Sequence, residues 1–471
     1  MAILPNYRRE RTNAHAAGSH PARPNEYSGR AQGSLKNKKH MNPTTTVFSI
    51  DYEARGIARP EGKTTFIRHA LPQERVRYRV GTAKAAFDEA DALEILQPSP
   101  ERRAAACPHY LECGGCALQH ASFDAQVAFK QRIFEEQLER IGRLRPETIL
   151  PPVYGTPWHY RSRTRLNTAD DGRGGLLLGY QAKRNRRIVA IDSCPVLPEQ
   201  VSGSLKDLNA ALQKLHRAAP AAGIEALEIC AGEQATAVNI RSRKPLPAAA
   251  LAAFAGSLKT GWQLWQQHGR NPPQPLSPDA PPLGYRLPEF GLTMPFRPGD
   301  FTQINLPLNR LMVARALSLL DVRPHETVID LFCGLGNFSL PLARQAARVL
   351  GVEGSRELTR RAADNARANG IGNARFVCAD LFDTDETVVK SWGRADKMLI
   401  DPPRAGAYAV VRALHAPFLP QKIVYVSCNP ATFARDAAVL AAKGYRLRSA
   451  GIVNMFPQTA HVEAVSLFEL G

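Results

Sequence analysis

From Gln303 onward, short apolar runs alternate with longer segments whose apolar residues recur at helical spacing. The first pattern is that of strands buried on both faces, the second that of amphipathic helices. The runs predict strands over Thr327–Phe332, Arg348–Val352, Arg375–Cys378, Lys397–Ile400, Lys422–Val426 and Ala464–Glu469, led by a helix over Pro307–Leu320. Strands spaced by helices of this length build an α/β fold with a doubly wound, mostly parallel sheet. Such sheets bind ligands beyond the carboxyl ends of their strands.

Upstream the period changes. Thr44 to Leu96 carries short β-like runs separated by turn signals such as Pro60-Glu61-Gly62, which predicts a small antiparallel barrel. The next two hundred or so residues mix strands and helices, with one long amphipathic helix over Ala121–Arg143. The segment NPPQPLSPDAPPLGY (271–285) reads as an extended, exposed loop. Residues 1–42 are rich in Arg, Lys, Asn, Gly and Pro without apolar periodicity, and read as a disordered basic tail. The expected division is therefore tail (1–42), barrel (43–98), central α+β domain (99–300) and α/β domain (301–471).

Charge narrows the choice of partner. Sixty-one Lys and Arg against 43 Asp and Glu give +18, which favours a nucleic acid held largely through its phosphates. No apolar run reaches the length of about 18 residues that a membrane span needs. The start, MAILPNYRRERTN, has no apolar signal region, so the expectation is a cytoplasmic protein with no membrane partner. In that compartment cysteines stay reduced, and grouped ones indicate metal binding or catalysis rather than disulfides.

Polar residues gather at the predicted strand ends. The first strand runs into Asp330-Leu331-Phe332-Cys333-Gly334-Leu335-Gly336-Asn337, where two glycines let backbone approach a ligand at a helix start. Glu353 ends the second strand, 19 residues after Gly334, in position for ribose hydroxyls. Asp380 ends the third, suited to an adenine amino group. The third glycine of a dinucleotide fingerprint is missing, which argues against a dinucleotide.

Two later strand ends carry Asp401-Pro402-Pro403-Arg404-Ala405-Gly406 and Val426-Ser427-Cys428-Asn429-Pro430. A cysteine delivered by an aliphatic strand into a polar turn is poorly placed for a core thiol. Cys230, Cys333 and Cys378 read instead as buried structural thiols. Cys107, Cys113 and Cys116 follow C-x5-C-x2-C spacing, and Cys194 is the candidate fourth member. Spacing alone leaves zinc and an iron–sulfur cluster open.

Taken together, FCGLGNFSLPLA, DPPRAG and SCNP resemble the RNA uracil-5-methyltransferase family over residues 303–471. Asp-Tyr-Glu-Ala-Arg-Gly-Ile-Ala and Ala-Leu-Pro-Gln-Glu-Arg-Val resemble a TRAM domain, and CPHYLECGGCALQH resembles the family's [4Fe–4S] ligand motif. The resemblance implies a class I, Rossmann-like S-adenosylmethionine-dependent methyltransferase domain, an N-terminal OB-like TRAM barrel and a central α+β iron–sulfur domain. It implies Gln303, Phe332, Asn337, Glu353, Asp380 and Asp401 as S-adenosylmethionine contacts. It also implies Cys428 as nucleophile, Glu463 of the HVE motif as general base, and Cys107, Cys113, Cys116 and Cys194 as [4Fe–4S] ligands.

The chemistry accounts for a thiol. Uracil C5 is too weak a nucleophile to attack a sulfonium methyl unaided; thiolate addition at C6 turns it into an enolate carbon. TRAM, cluster and catalytic domain in one chain resemble the RlmD-type branch, whose substrate is 23S ribosomal RNA. This implies a monomer with no obligate protein partner. The alternatives are 5-methyluridine formation in transfer RNA or at another ribosomal site, and a non-catalytic RNA-binding protein.

Overall fold

The structure, a computed structural model, describes residues 42–471; the expected basic tail, Asn42 aside, lies outside them. Six strands come first: β1 (Thr44–Thr46), β2 (Ser49–Ile50), β3 (Gly56–Ala58), β4 (Thr64–Arg68), β5 (Arg75–Ala83) and β6 (Phe87–Gln97). They form one sheet in the order β1-β5-β6-β4-β3-β2, antiparallel except for β4 against β6. Alternation in β4 and β5 turns Ile67, Val76 and Tyr78 inward onto Val47, Ala58 and Ala90.

A loop carrying three cysteines leads to α1 (Phe123–Gln137), N-capped by the Ser122 hydroxyl. The predicted helix over Ala121–Arg143 is shorter at both ends. Its last stretch, Leu138–Gly142, widens into a π turn that ends on Arg143 in the left-handed region (φ 52°). There Gly142 lies against the Ala434 carbonyl, where an added Cβ would come to 2.8 Å.

After β7 (Thr148–Ile149), seven strands make the central sheet. They are β8 (Arg163–Asp170), β9 (Leu176–Gln181), β10 (Ile188–Ala190), β11 (Ile224–Ala231), β12 (Thr236–Ser242), β13 (Trp262–His268) and β14 (Gln274–Pro275). Their order is β10-β9-β8-β11-β12-β13-β14. Helices α2 (Glu199–Ser202), α3 (Leu205–Ala218) and α4 (Ala248–Ala255) belong to the same region, and Leu208, Leu212 and Leu215 of α3 enter its core. The expected proline-rich loop is only partly a loop. Gln274 and Pro275 pair with β13, and from Leu283 the chain enters a hairpin of β15 (Leu283–Leu287) and β16 (Leu292–Phe296).

The last layer is the predicted α/β sheet. Helix α5 (Leu306–Leu320) leads into β17 (Thr327–Leu331), α6 (Ser339–Ala343), β18 (Arg348–Glu353), α7 (Arg356–Ala368) and β19 (Ala374–Cys378). Then come α8 (Glu386–Trp392), β20 (Lys397–Ile400), α9 (Tyr408–Ala413), β21 (Lys422–Ser427), α10 (Pro430–Ala442), β22 (Tyr445–Val453) and β23 (Glu463–Leu470). The order is β19-β18-β17-β20-β21-β23-β22-β7, parallel from β19 to β21. The six predicted strands all form, and β22 is an additional one.

Two pieces from early in the chain complete this domain. Phe134 of α1 stacks on Phe433 of α10 at 5.6 Å, inside one core with Ile329, Ile400 and Phe468. β7 adds an eighth, parallel strand beside β22. Gly451 permits that approach, since a Cβ there would stand 2.7 Å from the Leu150 backbone oxygen.

Candidate active site

The site is built where β17 to β21 and β23 reach one edge of the sheet. Phe332 follows β17 with φ 61°, a strained value for a bulky residue, and Gly334 and Gly336 continue the turn at φ 55° and 89°. The Phe332 ring lies tilted against the half-exposed Phe382 ring, 5.7 Å away. Glu353 accepts the Gly334 N–H at 3.1 Å and the Ser355 N–H at 2.9 Å, so its carboxylate ties the glycine turn to the next strand end. Asp380, exposed after β19, accepts the Phe382 N–H at 2.9 Å. Phe332, Glu353 and Asp380 thus stand on three neighbouring strand ends.

Gln303 is buried in the segment between β16 and α5. Asn337 is engaged within the protein: its amide exchanges two 2.9 Å hydrogen bonds with Asn309 and accepts the Tyr285 hydroxyl at 2.8 Å. Cys230 and Cys333 are buried as expected, but Cys378 is exposed and donates to the Gly354 carbonyl at 3.5 Å. The reason is its place as the last residue of the sheet's outermost strand.

Asp401, Cys428 and Glu463 come from three adjacent strands. Ser427 pairs with Ala464 in the antiparallel β21–β23 ladder, so the next residues outward, Cys428 and Glu463, face each other across the strand ends. β20 lies on the other side of β21 and ends at Asp401. Burial, then the Glu463 and Asp401 carboxylates, push the Cys428 thiol far above its usual range, while Arg404 pulls it down. Burial, then Asp401, likewise hold the Glu463 carboxyl protonated well past the normal carboxylate range. Asp401 is pushed up to about 7 by burial.

Arg404 is fixed beside this trio. Its carbonyl accepts the Asn429 amide at 3.0 Å and the Thr432 hydroxyl at 3.1 Å, both from the turn that carries Cys428. Its guanidinium donates to Nε2 of His461, which burial and then Arg404 push down to about 3. His461 is therefore neutral at physiological pH. The Arg404–His461 pair was not singled out from the sequence, although both residues sit inside quoted motifs, DPPRAG and HVE. The arrangement gathers a thiol, two carboxyls and the Arg404 guanidinium at one end of the sheet.

A second group of thiols lies in the central region. The Gly114 N–H donates to the Gln181 carbonyl at 2.9 Å, and a Cβ at Gly114 would meet that oxygen at 2.8 Å. This joins the loop of Cys107, Cys113 and Cys116 to the end of β9. The Cys107 N–H donates to Gln119 Oε1 at 3.1 Å, and the Cys194 N–H donates to Ser202 Oγ at 2.9 Å. Burial raises Cys113, Cys194 and Cys116, the last to about 12, and the neighbouring thiols of the same group add to each rise. The four sulfurs are thus close enough to repel one another as thiolates. Among the described residues no group of three or more His, Cys, Asp or Glu side chains is set to hold a single metal ion.

Residues 292–470 match the family described as tRNA (Uracil-5-)-methyltransferase. A 23S rRNA (uracil(1939)-C(5))-methyltransferase RlmD from Neisseria lactamica is 51% identical over 430 residues, covering 90% of this chain and 95% of its own. The chain belongs to the RlmD family. A second RlmD, from Aromatoleum aromaticum, is 48% identical over 91% of this chain and 99% of its own. Among solved structures, the Pyrococcus abyssi tRNA (uracil-54, C5)-methyltransferase with S-adenosyl-L-homocysteine superposes with a TM-score of 0.69 at 22% identity. It covers 91% of this chain and 100% of that one, which establishes for this RlmD family member the α/β S-adenosylmethionine methyltransferase fold. No helix among the described residues is long and apolar enough to cross a membrane.

Proposed function

We infer that this RlmD family member methylates C5 of a uridine in 23S ribosomal RNA with S-adenosylmethionine as donor. The carrying observation is Cys428 and Glu463 facing each other at the ends of β21 and β23, beside Asp401. Bound S-adenosylmethionine supplies an electrophilic methyl; Phe332, Glu353, Asp380, Gln303 and Asp401 are the residues we assign to holding it. Asn337 we assign to shaping the turn from behind, since its amide is spent on Asn309 and Tyr285.

Cys428 first loses its thiol proton to solvent, with Arg404 favouring the thiolate, and then adds to C6 while the electron pair of the C5–C6 double bond moves towards C5 and O4. C5 takes the methyl, Glu463 takes the C5 proton, and the returning electrons expel the Cys428 sulfur. A thiol already disfavoured as thiolate by two acids is a good leaving group only if a cation assists it. Arg404 is the cation in place. Glu463 can act only as carboxylate, the form Arg404 favours against burial and Asp401; once ionised, its raised proton affinity suits a base that must accept a proton from carbon.

Cys107, Cys113, Cys116 and Cys194 fit a [4Fe–4S] cluster by their donor chemistry. They are soft, they are grouped, and they repel one another unless a cationic centre neutralises them. Methyl transfer is redox-neutral, so the cluster we assign would serve the fold of the cysteine loop. We read residues 43–98 as the TRAM module, 99–300 as the iron–sulfur region and 301–471 as the catalytic domain of a cytoplasmic, monomeric enzyme.

The direct test is RNA carrying 5-fluorouridine at the target. The reading expects a denaturant-stable protein–RNA adduct that requires S-adenosylmethionine and is lost in Cys428→Ala. Absence of adduct in the parent protein, with intact RNA binding, overturns the covalent route.

A further inference from the structure

The segment that delivers Glu463 is held by parts of the molecule that lie far away in sequence. Between β22 and β23, residues 454–462 make most of their side-chain-mediated bonds to the region before residue 161. Gln126 and Gln458 form a two-point pair: Gln126 Nε2 donates to Gln458 Oε1 at 3.0 Å, and the Gln458 N–H donates to Gln126 Oε1 at 2.9 Å. Lys130, fully buried, donates to Asn454 Oδ1 at 2.7 Å and to the Phe456 carbonyl at 2.8 Å. The Tyr160 hydroxyl donates to the Pro457 carbonyl at 2.7 Å.

The cysteine loop takes hold of the same place. Ala117 and Leu118, the two residues after Cys116, both donate their N–H groups to the Gln458 carbonyl, at 2.8 and 2.9 Å. Gln458 itself sits at φ 67°, in the left-handed region that a glutamine adopts only when its surroundings impose it. A buried ammonium bonded to two neutral oxygens is costly for the fold. Its two bonds, the amide pair and the imposed backbone all bear on one stretch of seven residues ahead of the HVE motif.

We propose that this clamp positions the catalytic base: the cysteine loop and α1 together set the backbone of residues 454–460, and through it His461 and Glu463. Gln126, Lys130 and Tyr160 are positioning residues for removal of the C5 proton, and cluster occupancy is felt at Glu463 through Ala117 and Leu118. The proposal rests on reading Glu463 as that base.

The experiment uses the full-length, cluster-loaded chain and separates the two halves of the reaction. Formation of the 5-fluorouridine adduct needs Cys428 and the donor but no proton removal; release of tritium from 5-tritiated uridine RNA needs both. In Gln126→Leu and Lys130→Met, kcat for tritium release falls about 10- to 100-fold through misplacement of the base. The KM values and the rate of adduct formation stay within about twofold of the parent. Tyr160→Phe, which removes one bond and keeps the ring, gives a smaller fall of the same kind. Hydrogen exchange supplies a readout independent of turnover: amides of 454–461 exchange faster in Gln126→Leu and in parent protein stripped of its iron, while β21 amides do not change. Adduct formation and tritium release falling together, or exchange in 454–461 that ignores both changes, overturns the clamp. Glu463→Gln run alongside keeps the two readings apart. If it still releases tritium, the assignment of the base fails, and the exchange result alone decides whether the segment is clamped.

Discussion

Two sets of thiols in this molecule are buried to a similar depth and meet opposite company. Cys428 stands among carboxyls, with burial, Glu463 and Asp401 resisting its ionisation, and Arg404 and a backbone hydrogen bond favouring it. Cys113, Cys116 and Cys194 stand among other thiols, each raised by its neighbours. Both environments keep protons on sulfur until something electron-poor arrives. On the reading proposed above, the partner at Cys428 is transient, an activated ring carbon, and Arg404 is the group that assists the departure of the sulfur. In the central group the cluster we propose would be a permanent partner, since the two cations beside the thiols, Lys183 and Arg161, do not balance four thiolates. Identical side chains thus divide into catalytic and structural work by what lies beside them.

The sharpest way to break this contrast is to exchange the sulfurs for oxygen or carbon one at a time. Cys428→Ala should lose methyl transfer by more than about 10⁴-fold, as expected for a covalent nucleophile, while iron content and melting temperature stay at parent values. Residual turnover near the parent rate would end the covalent assignment. Glu463→Gln should lower turnover by about 10²- to 10⁴-fold yet still trap 5-fluorouridine RNA, a split read by gel shift under denaturing conditions. Cys194→Ser should do the reverse of Cys428→Ala, losing iron and visible absorbance together with thermal stability, since cluster binding and folding are coupled. A colourless parent protein that carries zinc would replace the cluster assignment.

The smallest effect concerns Asp330, buried beneath the catalytic half and pushed up to about 8 by burial, with Ser339 donating to it. The native state keeps this proton where the unfolded chain has released it, so stability falls as pH rises from the usual carboxylate range of about 4 towards 8. Urea midpoints at about pH 5 and pH 8 should converge in Asp330→Asn relative to the parent. A slope unchanged by the substitution would place the proton elsewhere.

What could be read from the chain follows from where each feature's partners lie. β17, β20 and β21 are buried on both faces and announce themselves as continuous apolar runs, and Phe332, Glu353, Asp380, Asp401, Cys428 and Glu463 stand at strand ends. β22 escaped because Arg446 and Arg448 break its apolar run and a bulge between Leu447 and Ser449 shifts its alternation. Cys378 looked internal because its neighbours in sequence are apolar, but edge position is a property of strand order, which only the fold supplies. Lys130 and Gln126 look like ordinary polar positions on an amphipathic helix. Their partners lie more than three hundred residues later, and no local pattern encodes such a pairing.

The edge strand β7 has a consequence for how the protein comes into being. Thr148 and Ile149 pair with Ser449 and Ala450, so β7 is made about three hundred residues before its partner. Contacts of such long sequence separation form late and slowly in folding. A chain broken off before residue 445 would display an unpaired strand and an uncovered sheet edge, a template for aggregation.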